Sequence, residues 1–244
     1  MYEFVKKIGF LLLPKAMIEK HESFFRSIIA IKYSGSNYEC NICNFKMSAF
    51  PPTNGVNKIC PKCGSLSRTR KLWSLLETEI SHKSILHFSP PKSISKKIKG
   101  IVKQNYITSD YEGEFQADKT YDIENIEVSS HAFDLIICYH ILEHIENDSK
   151  AMSELYRILK PGGQCFLQTP FKTGKTFEDK NAITPEARLK TYGQDNHVRI
   201  YSAHGLKYKL DTHGFNTQIL TFNEEENNKY GFKLNETILI AKKE

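Results

Sequence analysis

The order of apolar and polar positions in the middle of the chain predicts a strand, a helix and a second strand. Residues 134–138 form a short, almost wholly apolar run, which suits a parallel strand that is covered on both faces. After Asp148, apolar residues recur at the spacing of one buried helix face, at Met152, Leu155, Tyr156 and Leu159. We expect the Pro-Gly-Gly sequence at 161–163 to end this helix and to lead into a buried strand at 164–169.

Similar patterns on both sides of this segment extend the alternation of strands and helices. Residues 84–89 predict the first strand and residues 105–110 the second, with a Lys-rich helix from about 93 to 103 between them. Near the end of the chain, residues 216–222 and 236–242 predict two antiparallel strands. The fold class that follows is α/β, with a doubly wound, mostly parallel sheet and an antiparallel last strand.

The length and composition fit one α/β domain with a small accessory module. The chain has 244 residues, and no apolar run approaches the roughly 20 residues that span a bilayer. The apolar patch at 8–13 follows Lys6 and Lys7 and precedes Pro14, so we interpret it as a helix face or as a weak contact with a membrane surface. A cytoplasmic protein without a transmembrane segment is therefore expected.

The net charge of +6 conceals a strong difference between the two parts of the chain. Residues 1–103 contain 18 Lys and Arg against 6 Asp and Glu, and the remaining residues carry a net −6. A basic front suggests an anionic partner, such as nucleic acid, phospholipid or a charged glycan. The alternative is a solvated lysine surface without a dedicated partner.

Two Cys-x2-Cys motifs, separated by sixteen residues, predict a four-thiolate zinc site at 34–66. The four cysteines are Cys40, Cys43, Cys60 and Cys63. Four thiolates complete a tetrahedron and leave no position for a substrate, so we expect a structural zinc ion on which the ribbon depends for folding. Two disulfides in an exported protein are the alternative. Cys138 and Cys165 lie in apolar, strand-like runs and are expected in the core.

Basic residues around the second Cys-x2-Cys motif make nucleic acid a candidate partner of this ribbon. They are Lys58, Lys62, Arg68, Arg70 and Lys71. Stacking on bases would have to come from Tyr38, Phe45 and Phe50, which a ribbon tends to bury because it has little other core.

The segment from Phe133 to Pro170 carries a motif order that resembles a known family. An acid opens the strand at Asp134, the turn at 140–144 reads His-Ile-Leu-Glu-His, and residues 159–163 read Leu-Lys-Pro-Gly-Gly. This order resembles the second half of class I S-adenosylmethionine-dependent methyltransferases, of the type 11 kind. The resemblance implies a Rossmann-like sheet and S-adenosylmethionine as the methyl donor. The domains expected are a helical segment at 1–33, the ribbon, and a methyltransferase domain at 67–244.

The resemblance also implies contacts with the cofactor at the carboxyl ends of neighbouring strands. Asp110 ends the second strand, where a carboxylate accepts hydrogen bonds from ribose hydroxyls. Asp122 is expected to accept a hydrogen bond from the adenine amine, while Ile123 packs on the ring. Tyr139 and His140 follow the central strand and are expected to face the same crevice.

The turn after the first strand departs from the family's pattern. It reads His87-Phe88-Ser89-Pro90-Pro91, without the glycine that usually allows the amino acid part of the cofactor to approach closely. Because proline has no backbone donor, the cradle is either shaped differently or does not bind the cofactor. A subgroup of zinc-ribbon methyltransferases resembles the chain at this turn, which favours a variant cradle made by His87, Phe88 and Ser89.

About thirty residues, 171–201, are longer than a connection needs and are expected to form a substrate lid with a short helix at 185–192. The pattern Gly-Gln-x-x-His-Val-Arg-x-Tyr at 193–201 extends the subgroup resemblance. Our hypothesis is that His197, with Arg199, deprotonates or orients the acceptor. The alternative is that both anchor the loop by hydrogen bonds.

The two histidines of the turn after the central strand have different expected roles. His140 is expected to contact the cofactor or to act as a base, and the alternative is a hydrogen bond at the start of the next helix. His144 lies one helical turn further on and is expected to pack in the core.

The sequence therefore predicts an S-adenosylmethionine-dependent methyltransferase (EC 2.1.1.-) whose acceptor is a hydroxyl of a small molecule or glycan precursor. An RNA methyltransferase guided by the zinc ribbon is the first alternative, and an inactive binding protein of the same fold is the second. Methylation of DNA amines is disfavoured, because residues 139–142 lack the Asn or Asp followed by Pro-Pro and an aromatic residue.

Overall fold

The structure is a computed structural model, and it describes residues 21–52, 58–223 and 228–244. The apolar patch predicted at 8–13 and most of the helical segment predicted at 1–33 lie outside these residues.

The chain divides into two compact units. The first contains the described residues up to Ile80, together with Ser93–Lys97 and part of Asn223–Glu236. The second contains Ser81–Lys92, Ile98–Phe222 and Thr237–Glu244. The start of the methyltransferase domain predicted at 67 stays a prediction.

The first unit combines short strands with helices around the two cysteine motifs. Helix α1 spans Glu22–Ile31, and strand β1 (Ser34–Glu39) pairs in antiparallel fashion with β2 (Lys46–Met47). Helix α2 spans Ser67–Leu76 and directly follows the second cysteine motif. The helix starts after an extended residue, Leu66, and it buries the apolar side chains of Leu72, Trp73 and Leu76.

The second unit is built on a six-stranded sheet with the order β4-β3-β5-β6-β8-β7. Its strands are β3 (Ile85–Phe88), β4 (Tyr106–Ser109), β5 (Phe133–Tyr139), β6 (Leu159–Gln168), β7 (Phe215–Phe222) and β8 (Glu236–Lys243). Strand β3 pairs in parallel with both β4 and β5, β5 pairs in parallel with β6, and β8 is antiparallel to β6. The predicted doubly wound α/β fold with an antiparallel last strand is thereby confirmed.

Helix α3 (Lys92–Val102) is divided between the two units, and three further α-helices of the described chain belong to the second unit, at Asp148–Ile158 (α4), Pro185–Tyr192 (α5) and Ala203–Thr212 (α6). The starts of the last three follow from side-chain caps at Asn147, Thr184 and Ser202, each of which accepts a backbone N–H. Helix α5 begins with proline and ends at Gly193, whose left-handed backbone terminates it. The short helix predicted at 185–192 is therefore confirmed, while its role in a substrate lid stays a prediction.

Strand β6 differs from the prediction. Helix α4 ends at Ile158, and the strand begins at once at Leu159, so the Pro-Gly-Gly sequence lies inside the strand instead of ending the helix. The pairing with β5 shifts register there, and Gly162 has a φ of 76°. The physical reason is that glycine permits a bulge, which absorbs the extra residues without breaking the strand.

Apolar side chains from the sheet and from α4 and α6 form the core of the second unit. Leu86, Ile136, Leu155, Leu206 and Leu239 are all buried in one cluster, and each stabilises the fold by about 1.5–3 kcal/mol. The two cysteines expected in the core, Cys138 and Cys165, are buried in the same cluster. Among the described residues, no helix is both long and apolar enough to cross a bilayer.

Candidate functional site

The carboxyl ends of β3 and β5 form the topological switch point of the sheet. Strand β3 is followed along the chain by β4 on one side, while β5 lies on its other side, so the connections leave in opposite directions. Ligands of doubly wound sheets bind in the crevice that this reversal opens. Ser89 and His140 follow these two strand ends, and Asp110 follows the end of the neighbouring strand β4.

Ser89 stands where the family's pattern has a glycine, and it adopts the backbone conformation that glycine favours. Its φ is 44°, in the left-handed region. Its N–H donates to Ser109 O at 2.7 Å, and its hydroxyl donates to Asp110 Oδ1 at 2.6 Å. These two bonds stabilise a turn that would otherwise be strained.

Asp110 is buried, and the other carboxylate oxygen accepts the N–H of Phe115 at 3.0 Å. A carboxylate has about four acceptor positions, so two remain for ribose hydroxyls. Asp122 is exposed and accepts the N–H of Glu124 through Oδ1 at 2.8 Å. Ile123 is only 4% exposed and belongs to the core cluster, so it offers adenine no more than an edge.

The side chains of His87 and Phe88 are both buried in the fold. His87 is fully enclosed in β3, and its Nδ1 lies 2.9 Å from the hydroxyl of Tyr106. Burial lowers the pKa of His87 to about 3. Phe88 belongs to the core cluster. Of the three residues assigned to the variant cradle, His87 and Phe88 are therefore enclosed in the fold. Ser89 is the one whose polar side chain lies in the turn after β3.

His140 begins the turn after β5 with a strained backbone. Its φ is 57°, its N–H donates to Gln168 O at 2.8 Å, and its side chain is 28% exposed. Its Nδ1 lies 3.3 Å from Glu143 Oε1. The preceding residue, Tyr139, is half-buried at the end of the strand. The exposed part of the ring does not include Nε2, which is buried and, among the described residues, has no hydrogen-bond partner.

Three ionisable side chains converge beside this turn. Glu143, His144 and His197 can each place one ligand atom so that all three atoms lie within 4.8 Å of one another. The rings of His144 and His197 meet edge to face, with centroids 4.7 Å apart. The prediction that His144 simply packs in the core is incomplete, because its ring faces a buried carboxylate as well as a second imidazole.

The protonation states in this cluster follow from burial and from the neighbouring charges. Burial opposes the ionisation of Glu143, but His140 and His144 outweigh it and lower the pKa of its carboxyl group below the usual value. Burial and the charge of His144 lower the pKa of His197, and Glu143 only partly offsets them. At neutral pH we therefore expect a carboxylate beside a neutral His197.

Arg199 holds the turn in place. Its side chain is 1% exposed, and its guanidinium donates to the backbone oxygens of Leu142, Ile145 and Glu146. With these donors committed to the backbone, Arg199 is placed to position the turn and not to contact an acceptor. Of the two roles left open for it, the geometry favours the anchoring one.

The sequence predicts that Glu143, with His140 and His144, either faces the crevice or caps the next helix, and the structure places it there with 1% of its side chain exposed. Reasoning from the sequence missed a second acidic residue, Asp148. Asp148 accepts from the hydroxyl of Tyr201 at 2.5 Å and from Lys209 Nζ at 2.6 Å. It joins the start of α4 to the end of the lid, a contact between distant segments that no local pattern reveals.

The four cysteines of the first unit lie together. The sulfur atoms are mutually within 4.8 Å, with Cys40 and Cys63 3.6 Å apart and Cys43 and Cys60 3.7 Å apart. Zn–S bonds of about 2.3 Å separate the sulfurs of a tetrahedral site by about 3.8 Å, so the residues present fit a zinc ion. Ser65 Oγ lies 3.2 Å from the sulfurs of Cys40 and Cys63.

Two of the basic residues proposed for nucleic acid are buried. The guanidinium of Arg70 is enclosed and donates to the backbone oxygens of Lys58, Ser65 and Gly231 at 2.6–2.9 Å. Lys71 is 5% exposed, and its Nζ lies 4.7 Å from the centroid of the Phe232 ring. Both side chains therefore stabilise the first unit and are withdrawn from any binding surface.

Comparison with known proteins decides the family. Residues 69–218, more than half of the chain, match the model of the family described as methyltransferase domain. The chain belongs to this family. The expectation of a methyltransferase is thereby confirmed at the level of the domain.

Curated relatives match shorter parts of this methyltransferase-domain chain. The mitochondrial ubiquinone biosynthesis O-methyltransferase of Dictyostelium discoideum is 29% identical over 143 residues, covering 54% of this chain and 41% of the relative. The Rickettsia felis ubiquinone biosynthesis O-methyltransferase is 33% identical over 76 residues, covering 31% and 26%. The chain thus spans less than half the length of these relatives.

Solved structures support the fold. The [4+2]-cyclase SpnF is 14% identical, with a TM-score of 0.53 over 80% of this chain and 87% of the cyclase. A phosphoethanolamine N-methyltransferase of Haemonchus contortus is 13% identical, with a TM-score of 0.51 over 74% and 53%. Because a cyclase shares the architecture, the fold alone does not name the reaction.

Proposed function

We propose that the protein transfers the methyl group of S-adenosylmethionine to a hydroxyl oxygen of a small molecule or glycan precursor. The observation that carries the proposal is the pair formed by Ser89 and Asp110 at the switch point of a methyltransferase-family sheet. The curated relatives are named O-methyltransferases, which supports an oxygen acceptor over a nitrogen or carbon acceptor.

The residues of the second unit have separable parts in this function. Asp110 would bind the ribose, and the hydroxyl of Ser89 would hold the carboxylate of Asp110 in place. The exposed Asp122 would accept a hydrogen bond from the adenine amine. S-adenosylmethionine supplies a methyl group on a positively charged sulfur. Transfer by in-line displacement depends mainly on the alignment of donor and acceptor, so these positioning contacts carry much of the expected rate enhancement.

A hydroxyl acceptor must also lose its proton. Among the residues predicted to act in catalysis, His140 is the one whose side chain is partly exposed beside a carboxylate, since its Nδ1 lies 3.3 Å from Glu143 Oε1. Its Nε2, which is buried and has no hydrogen-bond partner among the described residues, would accept the proton of an acceptor bound against it while the new C–O bond forms and the S–C bond breaks. The ring of His197 contacts that of His144 in the same turn, and Arg199 donates to the backbone of this turn.

We also propose that Cys40, Cys43, Cys60 and Cys63 hold a structural zinc ion, because the spacing of their sulfurs fits four Zn–S bonds. An RNA-guiding role for this ribbon loses support with the burial of Arg70 and Lys71. The contact with a membrane surface remains a prediction, because the residues concerned lie outside those described.

Isothermal titration of the zinc-loaded, full-length protein with S-adenosylmethionine and S-adenosylhomocysteine tests the proposal. Asp110→Asn weakens the acceptor of the ribose hydroxyls and should reduce the affinity for both ligands at least about tenfold, as expected for a hydrogen bond to a charged group. Glu114→Gln, an exposed change in the following loop, is the matched control and should leave the affinity unchanged. A folded protein that binds neither ligand would instead be a binding protein of the same fold.

A further inference from the structure

A buried carboxylate without a hydrogen-bond partner is the most unusual group of the second unit. The side chain of Glu143 is 1% exposed, and within the described parts of the chain neither of its oxygens accepts a hydrogen bond. The nearest ionisable group, His140 Nδ1, approaches to 3.3 Å without the alignment of a hydrogen bond. A buried charge in such surroundings is costly unless something else compensates for it.

Two imidazoles face the same space as this carboxylate. The ligand atoms of His144 and His197 lie within 4.8 Å of each other and of a Glu143 oxygen. His144 Nδ1 is 3.3 Å from the carbonyl oxygen of Asn196, so Nδ1 carries the proton and Nε2 is left free. A histidine that donates one ring N–H to a carbonyl and keeps the other nitrogen available is the arrangement typical of metal ligands.

The fold fixes these groups from both sides. The N–H of Val198 donates to Glu143 O at 2.9 Å, which ties the segment of His197 to the turn. Arg199 donates to three backbone oxygens of the same turn, one of them Leu142 O at 3.0 Å. Because the backbone on both sides is pinned, only side-chain rotations separate the present spacing from a closed site.

We propose that Glu143, His144 and His197 bind a divalent transition-metal ion. Bonds of about 2.0–2.2 Å place neighbouring ligand atoms about 3.0–3.5 Å apart, which small rotations from the observed spacing of up to 4.8 Å would reach. Two imidazoles and one carboxylate suit Zn²⁺, Fe²⁺, Co²⁺ or Ni²⁺ better than Mg²⁺ or Ca²⁺. The ion would neutralise the buried carboxylate and give its oxygens the partner they lack.

This site differs in kind from the four-cysteine site. Four thiolates complete a tetrahedron, whereas three protein ligands leave at least one position open to water or to an oxygen of another molecule. The use of that position by the acceptor hydroxyl rests on the proposed function, but the binding of the metal does not. The same protein would then hold one closed sulfur site and one open nitrogen and oxygen site.

Titration of the zinc-loaded, full-length protein with Co²⁺ tests the proposal. We expect one equivalent to bind with weak visible absorption and without the near-ultraviolet charge-transfer band that Co²⁺ shows on thiolates. Glu143→Gln removes the charged ligand and should weaken this binding at least about tenfold. Glu146→Gln is the matched control, because its side chain is 70% exposed in the same turn, and it should leave the affinity within twofold.

Thermal unfolding with and without the metal separates ligation from a merely structural role. If Glu143 is a ligand, Co²⁺ raises the unfolding temperature of the parent but not that of Glu143→Gln, and the metal-free variant is at least as stable as the parent. If Glu143→Gln fails to fold, His144→Gln provides the same comparison. Equal binding of Co²⁺ to parent and variants, or a signal from thiolates alone, would overturn the proposal.

The titration also keeps this inference apart from the proposed function. S-adenosylmethionine binding without a nitrogen and oxygen metal site would overturn only the metal site. Metal binding at Glu143 without cofactor binding would overturn only the methyl transfer and leave the metal site standing.

Discussion

At the scale of single residues, buried charged and titratable side chains hold together the parts of the chain that no hydrophobic pattern connects. Arg199 binds three backbone oxygens of the turn at 142–146, Arg70 binds those around the second cysteine motif, and His87 lies inside β3. Each of them pays for its own desolvation with hydrogen bonds. Changes at these positions should therefore affect stability more than surface changes do.

Replacing Arg199 should destabilise the protein strongly. Arg199→Met removes the donors of three backbone oxygens and the cation that lies 3.7 Å from Asp148, so we expect the free energy of unfolding to fall by about 2–4 kcal/mol. Chemical denaturation measures it. Arg188→Met is the control, because Arg188 pairs with the exposed Glu146, and its effect should stay near about 0.5 kcal/mol. Equal effects of the two changes would contradict a bracing role for Arg199.

His87 should make the stability depend on pH. Because burial lowers its folded-state pKa to about 3, the unfolded chain binds its proton first, at pH values below about 6.5. Above that pH, neutral His87 makes its full contribution to the free energy of unfolding. As the pH falls, this free energy decreases by up to about 1.4 kcal/mol per pH unit until about pH 3.

Denaturation at pH values between 7 and 4 measures this dependence. Glutamine does not titrate, so His87→Gln should reduce the slope of the unfolding free energy against pH by the equivalent of about one proton relative to the parent. His204→Gln, a change of an exposed histidine, should leave this slope unchanged. Parallel profiles for the parent and His87→Gln would contradict the prediction.

At the scale of elements, β6 shows how a local signal is overruled by pairing. The Pro-Gly-Gly sequence is a strong helix stop by itself, but Leu159 already pairs with Phe133 of β5, so the strand starts before it. A bulge at Gly162 then restores the register, and Gln164 pairs with Leu135. The neighbouring strand lies 26 residues away in the sequence and decided this outcome.

A methyl group at Gly163 should therefore destabilise β6. Its Cβ would lie 2.8 Å from Lys160 O and 3.2 Å from Asp134 O, and backbone atoms cannot move aside cheaply. We expect Gly163→Ala to lower the unfolding free energy by about 1–3 kcal/mol. Gly100→Ala in α3, where no atom lies within 4 Å of the added Cβ, should instead raise it by about 0.5–1 kcal/mol. Thermal denaturation of both variants checks the opposite signs.

At the scale of the whole molecule, two compact units rely on different sources of stability. The second unit has a large apolar cluster around its sheet, whereas the described ribbon strands β1 and β2 contribute few buried apolar residues. A small unit of this kind needs a staple, and four sulfurs at the spacing of a zinc site provide one.

Removing the proposed zinc should unfold the ribbon. Cys60→Ser should lower the zinc content by one equivalent and expose residues 34–66 to limited proteolysis, because metal binding and folding are coupled there. Cys165→Ala, a core cysteine of the second unit, is the control and should retain the metal. Unchanged zinc content in Cys60→Ser, measured by elemental analysis, would contradict the assignment of this ligand.

The sequence by itself determined the features that are encoded locally. Apolar runs and helical spacing placed β3, β4, β5 and the lid helix within a residue or two, and the cysteine spacing located the four sulfurs that come together. These patterns succeed because each element is specified by its own residues.

Tertiary structure alone decided how distant residues meet. Arg199 donates to the turn at 142–146, and His197 meets Glu143 and His144, although more than fifty residues separate these segments in the sequence. The burial of Arg70 is likewise a result of packing. A charged residue has the same appearance in a sequence whether it is solvated or enclosed. Only the packing around it fixes its desolvation and its partners, and hence its role in the site.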